Sequence, residues 1–285
     1  MASPYDLTTL AAVKAWLSIA NTNSDALLAP TITAASRWVL SYLGRGSVLP
    51  ATFNERYDGQ GNKRLYLRNW PVISVSSLLV NGQTVAAALP PSTNNPTPSG
   101  YLLAPWDGRP PGELQALDVF GSEFSTFSPD YFPYGRQNVA VTYVAGYGMQ
   151  GEAQSVPTSP GPYALTAIAP YGPWANDLGV TYANGTALTA VTGTPAVGQY
   201  SVAGGVYTFA AADAGAAVLL SYGFVPQDLA QATMELVSER FKYRDRVGEA
   251  SKTLSGQETT AFSLKDMPDA MKLMLQPYRA VVVPA

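Results

Sequence analysis

The spacing of apolar positions predicts two helices at the start of the chain. Apolar residues recur with a period near 3.6 over residues 7–17 and again over residues 27–43. Ser24 is suited to cap the second helix, and Gly44 is suited to end it. Pro30 falls inside the second pattern and should kink that helix or delay its regular start. We expect the two apolar stripes to pack together as a helical hairpin.

Alternation of apolar and polar residues, the pattern of β-strands, follows from residue 53. It predicts one hairpin over residues 53–69, with DGQGN as its turn, and a second over residues 71–85, turned at Asn81–Gly82. Residues 88–111 are rich in Pro, Ser, Asn and Thr, which predicts a long surface loop. Alternation returns at residues 138–148, so another strand is expected there.

The middle of the chain predicts a separate β module. Residues 150–162 have the composition of a linker, and short apolar runs separated by turn signals continue to residue 224. The last run, AAVLLSYGFVP, is similar to the earlier VAVTYVAGY. We therefore interpret residues 150–224 as an inserted antiparallel module, placed where the earlier strand would otherwise meet the last long helix.

The C-terminal part predicts a partner-binding segment. A helix from Leu229 carries a basic cluster, and a Ser/Thr/Gly-rich stretch, a short helical piece and the apolar end AVVVPA follow it. A strand-forming terminus of this kind tends to associate with other chains unless a partner covers it. The residues predicted to contact a partner are Arg240, Lys242, Arg244, Arg246, Lys252, Tyr278, Arg279, Val281, Val282 and Val283.

These patterns together predict an α+β fold. Its helical core would be built from the N- and C-terminal helices, beside a β-hairpin region and the inserted antiparallel β module. The corresponding domains are a core of residues 1–149 and 225–249, the module of residues 150–224, and an extended docking tail of residues 250–285.

Charge argues against a surface that grips nucleic acid. Residues 1–68 carry seven basic and four acidic side chains, a net of +3, whereas residues 69–224 carry two basic and eight acidic ones, a net of −6. Phosphate contacts need Lys and Arg. Mixed charge around the C-terminal basic cluster favours a protein partner there.

The chain contains no Cys and no His. It therefore lacks the commonest general base and the commonest metal ligands, and we expect no catalysis, no metal and no cofactor. The start, MASPYDL, lacks the features of a signal peptide, and no apolar run is long enough for a membrane span. Synthesis in the cytoplasm and no membrane partner are the expectation.

One group of acids leaves an enzymatic alternative open. Five carboxylates lie among aromatic residues, as the acid pair of a glycosidase would, but no spacing singles out a pair. They are Asp107, Glu113, Asp118, Glu123 and Asp130.

Several segments resemble the head–tail connector (adaptor, or head-completion) family of tailed bacteriophages. DLTTLAAVKAWLSI and SDALLAPTITAASRWVLSYLGR resemble its opening helical pair, and ERYDGQGNKRLYLRNWPVISVSSLLVNG resembles its hairpin segment. VAVTYVAGY and VPQDLAQATMELVSERFKYRDRVG resemble the strand and long helix that follow, and DMPDAMKLMLQPYR resembles the closing motif. The long loop at 88–135 and the module at 150–224 depart from the family pattern.

The resemblance implies a structural protein of the virion. Such proteins form a ring, usually dodecameric, below the portal, and DNA passes through the ring without being specifically bound. The C-terminal tail of each subunit would dock into the portal, and the opposite face would receive tail or neck proteins. Two alternatives remain: a β-rich tail, baseplate or carbohydrate-binding component, and the glycoside hydrolase considered above.

Overall fold

A computed structural model describes most of the chain. The described residues are 5–89, 99–104, 115–120, 130–244, 251–254, 258–261 and 267–280. They divide into two compact units, each treated separately below. The helical unit comprises the described residues within Met1–Ser47, Ala169–Pro173 and Val225–Arg279, and the β unit comprises those within Val48–Ile168, Trp174–Phe224 and Ala280–Ala285.

The helical unit contains the α-helices of the described chain. They are α1 (Leu10–Trp16), α2 (Asp25–Leu43), α3 (Gln227–Tyr243) and α4 (Asp269–Leu275). The helix α3 packs against each of the other three. The side chains at the centre of this packing are fully or almost fully buried, and they include Val13, Leu28, Val39, Leu229, Leu236 and Leu275. The predicted N-terminal helical pair is confirmed.

Local chemistry sets the ends of the first two helices. The Thr9 hydroxyl accepts a hydrogen bond from the Ala12 amide at 3.2 Å, which caps α1. The helix α2 already begins at Asp25, so Pro30 does not delay its start. At its end, Gly44 adopts a φ of 67°, and the Arg45 amide donates to the Leu40 carbonyl at 3.0 Å. This left-handed glycine is the predicted C-cap.

The described strands of the β unit lie within residues 51–224. They are β1 (Ala51–Gly59), β2 (Arg64–Tyr66), β3 (Val72–Val80), β4 (Gln83–Val85), β5 (Gly100–Ala104), β6 (Ala116–Phe120), β7 (Gly135–Ala145), β8 (Gly148–Ser155), β9 (Ala164–Thr166), β10 (Trp174–Tyr182), β11 (Thr189–Ala190), β12 (Gln199–Ala203), β13 (Val206–Phe209) and β14 (Ala217–Phe224). Two further strands, β15 (Ser251–Leu254) and β16 (Glu258–Ala261), pair with each other as a hairpin.

Four sheets form the β unit in the described part of the chain. Two of them, ordered β1-β7-β3-β4 and β2-β6-β5, contribute to one buried cluster that includes Leu78, Val141 and Tyr143 from the first sheet and Leu117 from the second. The other two are ordered β10-β14-β8 and β11-β12-β13-β9. Except for the parallel β11–β12 contact, the strand pairs are antiparallel. Their buried residues include Tyr200, Tyr207 and Tyr222.

The predicted α+β fold with a helical core is wrong. Strands account for 38% and helices for 25% of the structure, so the fold is mostly β. The helices do pack together, but a separate buried hydrophobic cluster belongs to the sheets. Part of the difference comes from residues 88–111, predicted as loop, where the apolar run of β5 pairs with β6.

The first predicted hairpin is also wrong, whereas the second is confirmed. The strand β1 pairs with β7, with Asn54 opposite Thr142, and β2 pairs with β6 instead of returning along β1. In the second hairpin, Val80 lies opposite Gln83, and Asn81 and Gly82 have φ angles of 50° and 79°. Two successive positive φ values define the type I′ turn that this dipeptide favours.

The predicted domain boundaries stay a prediction. In the structure, β8 begins at Gly148 and pairs with β14, which ends at Phe224. The first and the last strand of the 148–224 segment are therefore neighbours in one sheet. Within the segment predicted as an extended tail, the described parts form the β15–β16 hairpin and the helix α4. Helix α4 forms because Met271 and Leu275 bury their side chains in the helical unit.

Replacing Gly146 by alanine should destabilise the β unit. Gly146 has a φ of 140°, and an added Cβ would lie 2.4 Å from the Pro50 amide nitrogen. Backbone strain and the steric clash together should cost about 2 kcal/mol. Chemical denaturation measures the change, and Gly193→Ala is the matched control because its Cβ would meet nothing within 4 Å. Equal stability of the two variants would contradict this account of Gly146.

Candidate functional site

Two of the predicted partner-binding residues, Tyr278 and Arg279, are fixed within the helical unit. The Tyr278 carbonyl accepts a hydrogen bond from Arg45 Nε at 2.7 Å, and the Tyr278 hydroxyl lies 3.1 Å from Asp228 Oδ2, to which it donates. The Arg279 guanidinium lies 5.6 Å from the ring centroid of Tyr42. The chain therefore leaves the helical unit from a defined point immediately before Ala280.

The basic cluster on α3 does not act as one patch. The Arg240 guanidinium stacks over the Trp38 ring at 4.8 Å, and Arg244 stacks over Phe241 at 4.0 Å. Each cation–π contact of this kind is worth about 0.5–1 kcal/mol at an exposed site. The structure thus assigns Arg240 a contact between helices, a role that the sequence alone did not indicate.

Lys242 lies in a groove of the helical unit. The groove has a volume of about 300 Å³ and runs along the end of α3 beside α1 and the start of α4. Trp16 and Met271 form its apolar surface, while Glu235 and Glu239 line it with Lys242. Trp16 is 52% exposed and Leu273, on α4, is 69% exposed. Large apolar side chains on this unit are therefore available to a partner.

The remaining predicted residues give less information. Lys252 lies in β15, while Arg246, Val281, Val282 and Val283 lie outside the described residues. Their assignment to a portal or to a neighbouring subunit stays a prediction.

The β unit binds its own carboxylates with tyrosine hydroxyls. Asp177 accepts hydrogen bonds from Tyr200 at 2.5 Å and from Tyr207 at 3.1 Å, as well as from the Gly179 amide at 3.1 Å. The Trp174 indole donates to the Tyr207 hydroxyl at 3.2 Å. Burial and the hydrogen bonds to Asp177 raise the pKa of both tyrosines above the ordinary value of Tyr.

The same arrangement recurs at other carboxylates. Glu55 accepts from Tyr143 at 2.7 Å and also from Tyr57, and burial raises the pKa of both tyrosines. Tyr222 donates to Glu152. Asp213 accepts from Tyr182 at 2.7 Å, and this hydrogen bond raises the pKa of Tyr182. Because residues 69–224 contain only two basic side chains, tyrosines supply the donors that arginines supply elsewhere.

High pH should therefore destabilise the β unit. Tyr143, Tyr200 and Tyr207 are at most 2% exposed, and their pKa values in the folded state are raised. Their contribution is complete below the unfolded pKa of about 10 and is lost as pH rises toward the folded values. Each of the three tyrosines should lower the free energy of unfolding by about 1 kcal/mol per pH unit in that range. Urea denaturation at pH 8 and pH 11 measures the loss, and an unchanged midpoint would contradict it.

Two of the five acids considered for glycoside hydrolysis form ion pairs with basic side chains. Arg64 donates to both carboxylate oxygens of Asp118 at 2.6 Å, which raises the pKa of Arg64. Asp130 lies 3.0 Å from the Lys63 ammonium. Asp107, Glu113 and Glu123 lie outside the described residues. The two described acids of this group, Asp118 and Asp130, are therefore each paired with a basic side chain.

Across the described ranges, no cluster of three or more Asp or Glu side chains has the geometry of a metal site. None of the helices that the structure describes combines the length and the hydrophobicity that a membrane span requires.

Comparison with known proteins adds no assignment. No protein-family model matches the chain, and no curated protein matches it. Function is therefore inferred from the residues themselves.

The sequence analysis missed the residues that receive the C-terminal segment. Arg45, Tyr42 and Asp228 hold Tyr278 and Arg279, and Trp38 holds Arg240. The apolar stripe of α2 predicted core packing only. The available signal was the placement of Arg45 directly after the capping Gly44, because a residue there folds back along the last turn.

Proposed function

We propose that the chain is a head–tail adaptor of a tailed bacteriophage. It would form a ring, of dodecameric symmetry in the usual case, below the portal in the virion, after synthesis in the host cytoplasm. Tail or neck proteins would bind the opposite face, and DNA would pass through the ring without specific binding. In this proposal the protein is structural and has no catalytic activity.

The observation that carries the proposal is the way the C-terminal segment is anchored. The contacts of Tyr278 with Arg45 and Asp228, and the packing of Leu275, fix the chain up to Arg279. The next residues in the sequence are AVVVPA, an apolar run with strong strand propensity. A rigid anchor followed by an apolar run is suited to presenting that run to a neighbouring protein. This supports docking through residues 281–285.

The exposed apolar side chains of the helical unit support the same proposal. Trp16 and Leu273 expose more than half of their surface. Exposed large apolar side chains can contribute to a protein–protein interface when they form a patch. In contrast, four carboxylates of the β unit accept hydrogen bonds inside the fold, which favours a structural role for that unit; they are Glu55, Glu152, Asp177 and Asp213.

A truncation tests the docking role. A chain ending at Ala280 should keep its circular dichroism spectrum and melting temperature, because the described anchoring contacts are made by residues up to Arg279. Its co-sedimentation with portal rings from the same phage should fall at least about tenfold, since the three valines that the proposal places against the portal would be lost. A second variant replaces Val281, Val282 and Val283 by threonine, which preserves shape and strand propensity but makes the segment more polar, and it should also weaken binding. Undiminished co-sedimentation of both variants would contradict the proposal.

A second candidate is a carbohydrate-binding tail component. It is favoured by exposed tyrosines on the β unit, since Tyr131 is 50% and Tyr134 84% exposed, and aromatic rings serve as platforms for sugars. This candidate predicts trimers in solution, whereas the adaptor is expected as a monomer or a higher ring. Light scattering distinguishes the two, and a trimer would favour the carbohydrate-binding component.

A further inference from the structure

The strand β1 lies at one edge of the sheet ordered β1-β7-β3-β4, and its pairing with β7 stays regular up to Tyr57. Two hydrogen bonds show which way the backbone of β7 faces. The Asn138 carbonyl accepts from the Asn81 amide at 2.8 Å. The Gly146 amide, next to the end of β7, donates to the Pro71 carbonyl at 2.8 Å. Because both partners flank β3, the even-numbered residues of β7 bond to β3 and the odd-numbered residues bond to β1.

The outer edge of β1 is therefore formed by Thr52, Asn54 and Arg56. Odd-numbered residues of β7 lie opposite odd-numbered residues of β1, so the amides and carbonyls of the even-numbered residues of β1 point away from the sheet. All three residues are exposed, and no described strand pairs with them. The Arg56 carbonyl accepts one long hydrogen bond from Arg68 Nη1 at 3.4 Å. An edge of this length can accept another strand.

The hairpin β15–β16 also lacks a neighbouring strand. In the described part of the chain it is a sheet of two strands, and an isolated hairpin of two strands is only marginally stable in water. Its sequence includes Thr253, Thr259 and Thr260, which favour strands. Within one chain, the described structure places this hairpin and β1 in separate sheets. A pairing between them would therefore join two copies of the chain.

The register of the hairpin shows which residues of β15 face outward. Leu254 lies opposite Glu258, and only three residues separate them, so this pair exchanges hydrogen bonds across the hairpin. Lys252, two residues earlier, faces β16 in the same way. Ser251 and Thr253 therefore turn their amides and carbonyls to the outside of the hairpin. Their spacing of two residues matches the spacing of the outward residues of β1.

We propose that β15 of one copy pairs with β1 of a second copy in antiparallel orientation, with Thr253 opposite Asn54. Ser251 then lies opposite Arg56, so the outward backbone groups of the two strands bond to each other. The contact joins different surfaces of the two copies, and repeated contacts of this kind form a ring when the rotation closes. It rests on the proposed function as regards the ring, but it requires no portal.

Charge and hydrophobicity support this register. It places Lys252 opposite Glu55, whose carboxylate accepts from Tyr143 at 2.7 Å and from other neutral groups, with no basic partner in the described chain. A lysine across the strand pair would compensate that charge. The register also places Leu254 opposite Phe53, which is partly buried against the hydrophobic cluster of the sheets. A shift by two residues in either direction separates both pairs.

Crosslinking of the full-length protein tests the contact, because the chain contains no Cys and each introduced thiol is unique. Asn54→Cys and Thr253→Cys are made in separate chains, mixed at high concentration and treated with a short bismaleimide. Opposite residues of such a pair lie about 5.5 Å apart, which is within its reach. The control replaces Asn54→Cys by Gln83→Cys, at an exposed position of β4 on the other edge of the same sheet.

We expect the Asn54→Cys mixture to give at least about fivefold more covalent heterodimer than the control mixture, because pairing raises the effective concentration of the two thiols. Equal yields, or no heterodimer, would overturn the proposal. Asn54→Cys chains that crosslink to each other as well as to Thr253→Cys chains would also overturn it, since β1 of the second copy would then be the partner.

A charge variant tests the register. Lys252→Glu in the Thr253→Cys chain should lower the heterodimer yield roughly threefold or more, because it sets two carboxylates opposite each other. Arg37→Glu is the matched control, since it reverses an exposed charge on α2 and should change the yield less than about twofold. Equal effects of the two variants would contradict the register. Portal co-sedimentation that persists without any crosslinking would overturn this contact and leave the adaptor proposal standing.

Discussion

Replacing Leu275 by alanine should destabilise the helical unit by about 3–5 kcal/mol, the range found when a fully buried leucine leaves a cavity. Leu275 is 0% exposed and lies on α4, within the segment that the sequence predicts to be an extended tail. Its loss should also release Tyr278 from Arg45 and Asp228, because α4 leads directly into that residue. The substitution therefore tests whether the C-terminal segment is an integral part of the fold.

The same helix offers a matched control. Leu273 is 69% exposed, so Leu273→Ala removes an equal number of atoms and should change the stability by less than about 0.5 kcal/mol. Hydrogen exchange followed by mass spectrometry reports the protection of α3 and α4 peptides in each variant. Equal protection in Leu275→Ala and Leu273→Ala would show that α4 does not belong to the packed unit.

Replacing Asp177 by alanine should destabilise the β unit by about 3 kcal/mol. The Tyr200 and Tyr207 hydroxyls would lose their common acceptor, and these side chains are 2% and 0% exposed. A buried hydroxyl without a partner costs about 1–3 kcal/mol, and two are affected. Chemical denaturation monitored by circular dichroism gives the change in the free energy of unfolding.

A double-mutant cycle separates this effect from a general loss of packing. Tyr200→Phe removes one of the hydroxyls, so adding Asp177→Ala to that variant should cost about 1 kcal/mol less than it costs in the unmodified chain. Strictly additive effects would mean that the Asp177–Tyr200 hydrogen bond contributes nothing to stability.

The parts of the fold that were predicted from the sequence depend on local signals. Gly44 ends α2, and Asn81–Gly82 turns the β3–β4 hairpin, because each needs a left-handed backbone that few other residues adopt. The pairing of β1 with β7 could not be predicted in the same way. It joins Glu55 to Val141 across more than 80 residues, and no local pattern specifies which distant strand supplies the partner.

The candidate site shows the same limit. Tyr278 and Arg279 were predicted to contact a partner, and that stays a prediction; the contacts that the structure describes for them are within the chain, with Arg45, Asp228 and Tyr42. Likewise the carboxylates of the β unit were counted as surface charge. Their hydrogen bonds to Tyr143, Tyr200 and Tyr222 depend on strands that come together only in the folded chain.

Electron microscopy of the full-length protein, alone and mixed with portal rings of the same phage, tests the adaptor proposal most directly. The proposal predicts an added ring of density on one face of the portal, with one copy of the chain per portal subunit and the helical unit facing the portal. Portal particles that remain unchanged at saturating protein, together with a free trimer, would contradict it.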